Sequence, residues 1–149
     1  MSTIIFLGIL GSIISAVIGT MWYSKSTPMG KIHLEALGFN KLSKEAQENK
    51  INEMKPKMWK YYLVQMLLSF LTSAFIAFVM VKQKSFGINS AVAYGELAAI
   101  WLCFIIPMVG QALLWGNCDP KLRWKKFFSD SFSNLVTFFV IIFVFGLII

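Results

Sequence analysis

Four long apolar stretches, separated by polar segments, divide the chain. Residues 1–23 contain no Asp, Glu, Lys, Arg or His, and the stretches from about 59 to 81, 91 to 116 and 127 to 149 carry one charged residue each. At 1.5 Å per residue, about 20 helical residues cross the roughly 30 Å of hydrocarbon in a bilayer, so each stretch is long enough. The pattern predicts an all-α polytopic membrane protein. It forms a single domain over residues 1–149, with four transmembrane helices at about 3–23, 59–81, 91–116 and 127–149 and a loop at 24–58. Counting back about 20 residues from Ile149, whose terminal carboxylate must reach water, starts the last crossing near Asp130. Residues 1–23 are read as a span and not as a cleaved signal, because Met1-Ser2-Thr3 offers no basic n-region.

The long loop has its own pattern. Thr27 and Pro28 form an N-cap followed by proline at the first helical position, and Gly38 is a C-cap. Between them Met29, Ile32, His33, Ala36 and Leu37 fall on one face, which predicts a short interfacial helix. A second, mostly charged helix is expected from Ser43 to about Lys55, with Pro56 ending it or opening the next span.

Composition narrows the class further. The 149 residues are 57% apolar and 14% charged, against about 45–50% and 25% in soluble domains. Mean hydropathy is +0.68. So few charges cannot cover a soluble surface, and disorder, a coiled coil and a disulfide scaffold are excluded on the same grounds.

The charges that exist are placed unevenly. Eight Lys lie in residues 24–60, three Lys and one Arg in 117–126, and only Lys82 and Lys84 in the middle loop. The positive-inside rule therefore predicts a cell-membrane protein with the first and third loops cytoplasmic and both termini outside. Trp22, Tyr23, Trp59, Trp115 and Trp124 fall at the cytoplasmic ends of the spans, as interface anchors do. The net charge of +7 comes almost wholly from lysine, with one arginine. That argues against nucleic acid and for anionic lipid headgroups as the partner.

Candidate chemistry is sparse. His33 is the one histidine, with no Cys, Asp or second His at ligand spacing, and reads as an interfacial side chain. Cys103 and Cys118 form no C-x-x-C, and neither H-E-x-x-H, G-x-S-x-G nor a P-loop occurs. No catalytic residue, metal site or cofactor is expected.

Polar residues inside the spans say more. In the first span Gly8, Ser12, Ala16 and Thr20 form one small-residue row and Gly11, Ser15 and Gly19 another. Such rows let helices approach closely in lipid, so Gly8, Gly11, Ser12, Ser15 and Gly19 are expected at helix contacts. Gln65, Ser69, Thr72 and Ser73 share one face of the second span, and Asp130, Ser133, Asn134 and Thr137 one face of the fourth. Gln111 comes from the same depth in the third span, where Pro107 leaves the Cys103 carbonyl without its helical donor and should kink the helix. Glu96, Ala99, Cys103, Pro107 and Gln111 form one line. Glu96 lies inside the membrane if all 26 residues of that span cross it, and at the outer interface if only a centred 20 do. Two readings of the inner polar residues stand. Gln65, Ser69, Gln111, Asp130, Asn134 and Thr137 line a vestibule open to the cytoplasm. Alternatively they hydrogen-bond between helices, each bond contributing about 0.6 kcal/mol, with Asp130 interfacial beside Lys125 or Lys126.

The order Gly19-Thr20-Met21-Trp22-Tyr23-Ser24, then Gly30-Lys31 and Gly38, resembles the signature of the small four-span membrane proteins catalogued as domain of unknown function 1761. Trp101, Phe104, Pro107 and Gln111, the short loop with Pro120, and the polar-then-apolar stretch from Asp130 to Gly146 are similar too. The family usually has proline directly after Trp-Tyr-Ser, where this chain has Lys25. An aromatic common after Gly-Lys is Ile32 here. The resemblance implies a four-helix membrane fold and brings no activity with it. Membrane glutathione-type transferases carry an Arg-and-acid cluster in their second span, and small multidrug exporters a glutamate in their first. Neither is present here. The sequence thus points to a non-enzymatic, homo-oligomeric bundle whose cytoplasm-facing vestibule binds or passes an ion or small solute. The alternative is an accessory subunit packed against a larger membrane partner or anionic lipid.

Overall fold

The computed structural model describes residues 1–114 and 120–149, and the side chains of all of these except Lys57 and Ser90. Trp115, Gly116 and Cys118 lie outside the described residues. The elements in chain order are α1 (Ser2–Trp22), α2 (Pro28–Ala36), a 3-10 turn (Phe39–Lys41), α3 (Lys44–Ser85), α4 (Ser90–Ile100), a π-helical turn (Trp101–Ile105), α5 (Ile106–Leu114) and α6 (Pro120–Ile148). There is no strand among the described residues. Four segments are long and apolar enough to cross a membrane: Ser2–Trp22, Met58–Ser85, Ala91–Leu114 and Pro120–Ile148. The chain is an all-α integral membrane protein.

Local chemistry sets the boundaries. The Thr27 side chain accepts from the Gly30 N–H at 2.9 Å and Pro28 opens α2. Gly38 then takes a left-handed φ of 77°. Ser43 caps α3 through the Ala46 N–H, and Asn89 caps α4 through the Ala91 N–H.

Two elements differ from the sequence expectation. The charged helix and the second span are one unbroken helix of 42 residues, with Pro56 inside it. Pro56 is exposed, and so is Asn52, whose carbonyl loses its helical donor. At an exposed position a carbonyl freed by proline can be solvated, which lets the helix run through. At 1.5 Å per residue α3 is roughly 63 Å long, twice the hydrocarbon thickness, and its first turns project beyond the bilayer. The third span, expected as one helix bent at Pro107, is two helices joined by the π turn, in which the Ile106 N–H reaches back to the Trp101 carbonyl. Pro107 has no N–H to give Cys103, and a wider turn just before it takes up the misfit.

Packing concentrates at the end of the bundle opposite the lysine-rich loop. Leu7, Ile76, Ala77, Met80, Leu97, Phe138, Ile141, Ile142 and Phe145 form one buried cluster. Since lipid is as apolar as these side chains, close van der Waals contact holds the helices together. Gly8 lies under the Phe70 ring and beside Ala74, and Gly11 lies against Ser73 and the Phe145 ring. A Cβ on Gly11 would stand 2.5 Å from Ser73 Cβ and 3.1 Å from Phe145 Cζ. Ser12 is buried, and Ser15 is half-buried, its hydroxyl 3.2 Å from that of Ser69. Nothing of another element comes within 4 Å of a Cβ on Gly19.

These surroundings separate the small residues by experiment. Gly11→Val should lower stability in detergent micelles by about 1–3 kcal/mol, the usual cost of overpacking. Gly19→Ala should leave the thermal midpoint unchanged. Circular dichroism melts of the purified variants check both.

Candidate functional site

The polar residues gather at the lysine-rich end, where α1 finishes. After Trp22 the chain turns sharply, because the Thr27 hydroxyl is shared between the Trp22 carbonyl at 2.7 Å and the Ser24 carbonyl at 2.9 Å. α2 folds back so tightly that a Cβ on Gly30 would stand 2.6 Å from the Ser24 carbonyl carbon and 2.9 Å from the Tyr23 oxygen. Only glycine fits there, which gives the Gly30-Lys31 pair a structural reason. The turn seats α2 against α6.

Asp130, at the end of the third turn of α6, is the hub of this end. Tyr23 Oη donates to its Oδ1 at 2.9 Å, and Lys126 Nζ pairs with its Oδ2 at 2.6 Å. The Asn134 amide donates to the Asp130 backbone carbonyl at 2.8 Å. Trp22 Nε1 lies 3.4 Å from Ser129 Oγ, and its ring packs on Phe132 with centroids 5.6 Å apart. The His33 ring lies 4.9 Å from that of Tyr23, tilted by 53°. Its Nδ1 is buried with no hydrogen-bond partner among the described residues. The Asp130 carboxylate thus ties the end of α1 to α6, and α2 joins them through the ring contact of His33 with Tyr23.

The other polar positions are more dispersed. Gln65 Nε2 lies 3.4 Å from Ser69 Oγ, and Ser69 in turn meets Ser15 of α1. Thr72 and Thr137 hydrogen-bond back to the Leu68 and Ser133 carbonyls of their own helices. Gln111 is exposed and lines a groove of about 300 Å³ between α5 and the start of α6. Trp124 lines the same groove, whereas Trp59 is exposed on α3 with Lys60 over its ring. Glu96 accepts from Gln83, which stands between Lys82 and Lys84, so it lies at the depth of those lysines. From the sequence Tyr23 is expected as an interface anchor and His33 as an interfacial side chain, with no link from either to Asp130. The available signal was depth, since Trp22-Tyr23 closes the first span where Asp130 opens the last.

The helix faces show where the bundle opens. On α6, Ile141 and Phe138 are buried, Asn134, one turn further on the same face, is exposed, and Ser131 beyond it is buried again. On α3, Met80, Ala77 and Ser73 are buried, Ser69 is half-buried and Gln65 is exposed. Residues 61–68 of α3 are exposed on every side. The half of α3 nearer the lysine-rich loop therefore stands away from α6. Among the described residues there is no group of His, Cys, Asp and Glu able to hold a metal.

Burial, and secondly the charge of Lys126, hold His33 below its ordinary value of 6.5, with Asp130 opposing. Between the folded value and 6.5 the unfolded chain binds more protons than the folded one, so stability rises with pH across that window and is lost on acidification. The drop in melting temperature from pH 7.5 to pH 5.5 should be smaller in His33→Phe than in the wild type.

No curated protein and no solved structure matches the chain. The sequence profile described as Protein of unknown function (DUF1761) matches residues 8–146, which include the Trp22-Tyr23 turn, Gly30, the Pro107 segment and Asp130. The chain belongs to this DUF1761 family.

Proposed function

We propose that the protein binds an ion or small solute, and in a homo-oligomer passes it, through a vestibule that opens to the cytoplasm at the lysine-rich end. Gln65, Ser69, Gln111, Asp130, Asn134 and Thr137 line or flank this vestibule. The observation that carries the reading is the change along one face of α6, from buried Ile141 and Phe138 to exposed Asn134. In a bundle packed dry along its whole length that position would be covered, as Ser131 beyond it is. A polar side chain left accessible on the face that carries the core fits water entering from one side.

The opposite half supports binding or gating over free flow through one protomer, because Phe138, Ile141, Ile142 and Phe145 fill it together with Leu7, Ile76 and Met80. The distribution of lysines supports the orientation. Tyr23 and Lys126 hold Asp130 in place, so an incoming cation would compete with Lys126 for the carboxylate.

Thiol labelling tests the reading. In a Cys103→Ser, Cys118→Ser background, Asn134→Cys should react with a membrane-impermeant maleimide in inside-out vesicles at a rate close to that of Lys125→Cys. Ile141→Cys should not react. Protection of Asn134→Cys equal to that of Ile141→Cys would make the stripe dry packing and leave a non-transporting accessory role.

A further inference from the structure

At the end of the bundle opposite the lysine-rich loop, α3, α4 and α6 enclose a cavity of about 140 Å³. Gln83 forms part of its wall, between Lys82 and Lys84 on the last turn of α3. Both lysines are exposed and Gln83 is only 7% exposed, so its amide is turned inward. There Nε2 donates to the Glu96 carboxylate of α4. An ionised carboxylate only accepts, which holds the amide in this sense and leaves Oε1 free. That oxygen is buried and has no hydrogen-bond partner among the described residues.

The surrounding backbone fixes the cavity. Gly87 takes a left-handed φ of 70°, and the Ile88 N–H then returns to the Gln83 carbonyl at 3.0 Å, which sets the rim. Tyr94 lines another wall with its hydroxyl against Gly146, where a Cβ would stand 2.3 Å from the phenol oxygen. Only glycine admits the phenol there. Met80 and Ala93 supply carbon, and the Met80 methyl lies 3.9 Å from that same Cβ position. Lys84 Nζ is already bonded to the Ile149 main-chain oxygen.

These features narrow the occupant. A buried acceptor without a donor costs free energy, so the site favours whatever brings an N–H or O–H to it. A single water takes up about 30 Å³, so the cavity is several times too large for one. Its carbon walls favour an occupant with an apolar body. Drug-sized ligands need pockets of about 300–1,000 Å³, so that body is small. A cation would share the space with the Lys84 ammonium, and an anion would set its oxygens against Oε1.

We propose that this cavity binds a small neutral molecule of the primary amide or alcohol class, whose N–H or O–H donates to Gln83 Oε1. The site lies at the end away from the vestibule and does not depend on it.

Methyl NMR tests the proposal on the full-length protein in detergent micelles. The methionine methyl groups are isotope-labelled, and the Met80 signal is the one lost in Met80→Leu. Propionamide and N,N-dimethylformamide are isomers, and only propionamide has N–H groups. Propionamide should shift the Met80 signal saturably, with a Kd about tenfold below that of dimethylformamide, the effect of one hydrogen bond to a buried acceptor. Propylammonium and propionate should bind more weakly than propionamide. Gln83→Met keeps the side-chain length, removes the amide and should abolish the difference between the isomers. Tyr94→Phe keeps Oε1 and should leave that difference in place. The comparison of isomers on the wild type decides even where Gln83→Met lowers stability.

Equal affinity for the two isomers in the wild type would overturn the proposal in favour of a carbon pocket. Tighter binding of propylammonium or propionate would overturn the neutral class. A Met80 signal that no probe moves would mean that water alone fills the cavity, and the proposal would fall. Persistence of the isomer difference in Gln83→Met would remove Oε1 as the group that selects the ligand.

Discussion

The close approach of α1 to α3 at Gly8 and Gly11 is the constraint on which the rest of the arrangement depends. Lipid gives apolar helices no reason to seek one another, so a bundle in a membrane holds only where surfaces fit at van der Waals distance. Two glycines let the Phe70 ring, Ser73, Ala74 and Phe145 reach the α1 backbone. With that contact fixed, Leu7 sits in the middle of the cluster made by α3, α4 and α6. Toward the other end the contact ceases, and nothing approaches Gly19. The same small-residue row therefore closes one half of the bundle and lets α3 leave it in the other.

What replaces close packing at the open end is a polar network. Asp130 receives Tyr23 from α1 and Lys126 from its own helix, and α2 is turned back over them by Thr27 and Gly30. Breaking one partner of such a carboxylate leaves charge uncompensated in a poorly solvated place, so the network holds the end of α1 against α6, while Thr27 and Gly30 set the position of α2. His33 takes its place in it by ring contact with Tyr23, without a bond to Nδ1 among the described residues. The two halves of the protein are thus held by different forces, dispersion in one and charge-assisted hydrogen bonds in the other.

The spans were legible in the sequence because hydropathy and length are nearly sufficient in a bilayer, where every backbone group must be bonded internally. The α2 boundaries were legible too, since Thr27, Pro28 and Gly38 act locally. The continuity of α3 was not. Proline is a helix breaker on average, and nothing in the sequence shows that Asn52 and Pro56 would both be exposed. The union of Tyr23, His33 and Asp130 was illegible for a different reason. It depends on which way α2 returns, and that is decided by a backbone contact at Gly30 that leaves no periodic trace. The polar stripes on α3 and α6 were visible as stripes. Their dispersion follows from the departure of α3, a tertiary fact.

The π turn before Pro107 explains how one span serves both halves. Leu97 and Leu113, both buried, are sixteen residues apart, and in an unbroken α-helix that spacing would place them about 160° apart around the axis. Such a helix could not lean on the bundle with both. The π turn at Trp101–Ile105 carries more residues per turn than an α-helix, underwinding the chain and bringing the second buried face back toward the first. α4 then packs on α3 at the closed end, while α5 packs on α6 at the open one. Proline alone would bend the helix without correcting its phase. The groove beside Gly110 follows from this crossing: α5 reaches α6 where α3 has already left, so its other side has no helix to cover it. The lysine-rich, aromatic start of α6 forms the remaining wall. A backbone irregularity of five residues thus lies where this span passes from the packed half of the bundle to the open one.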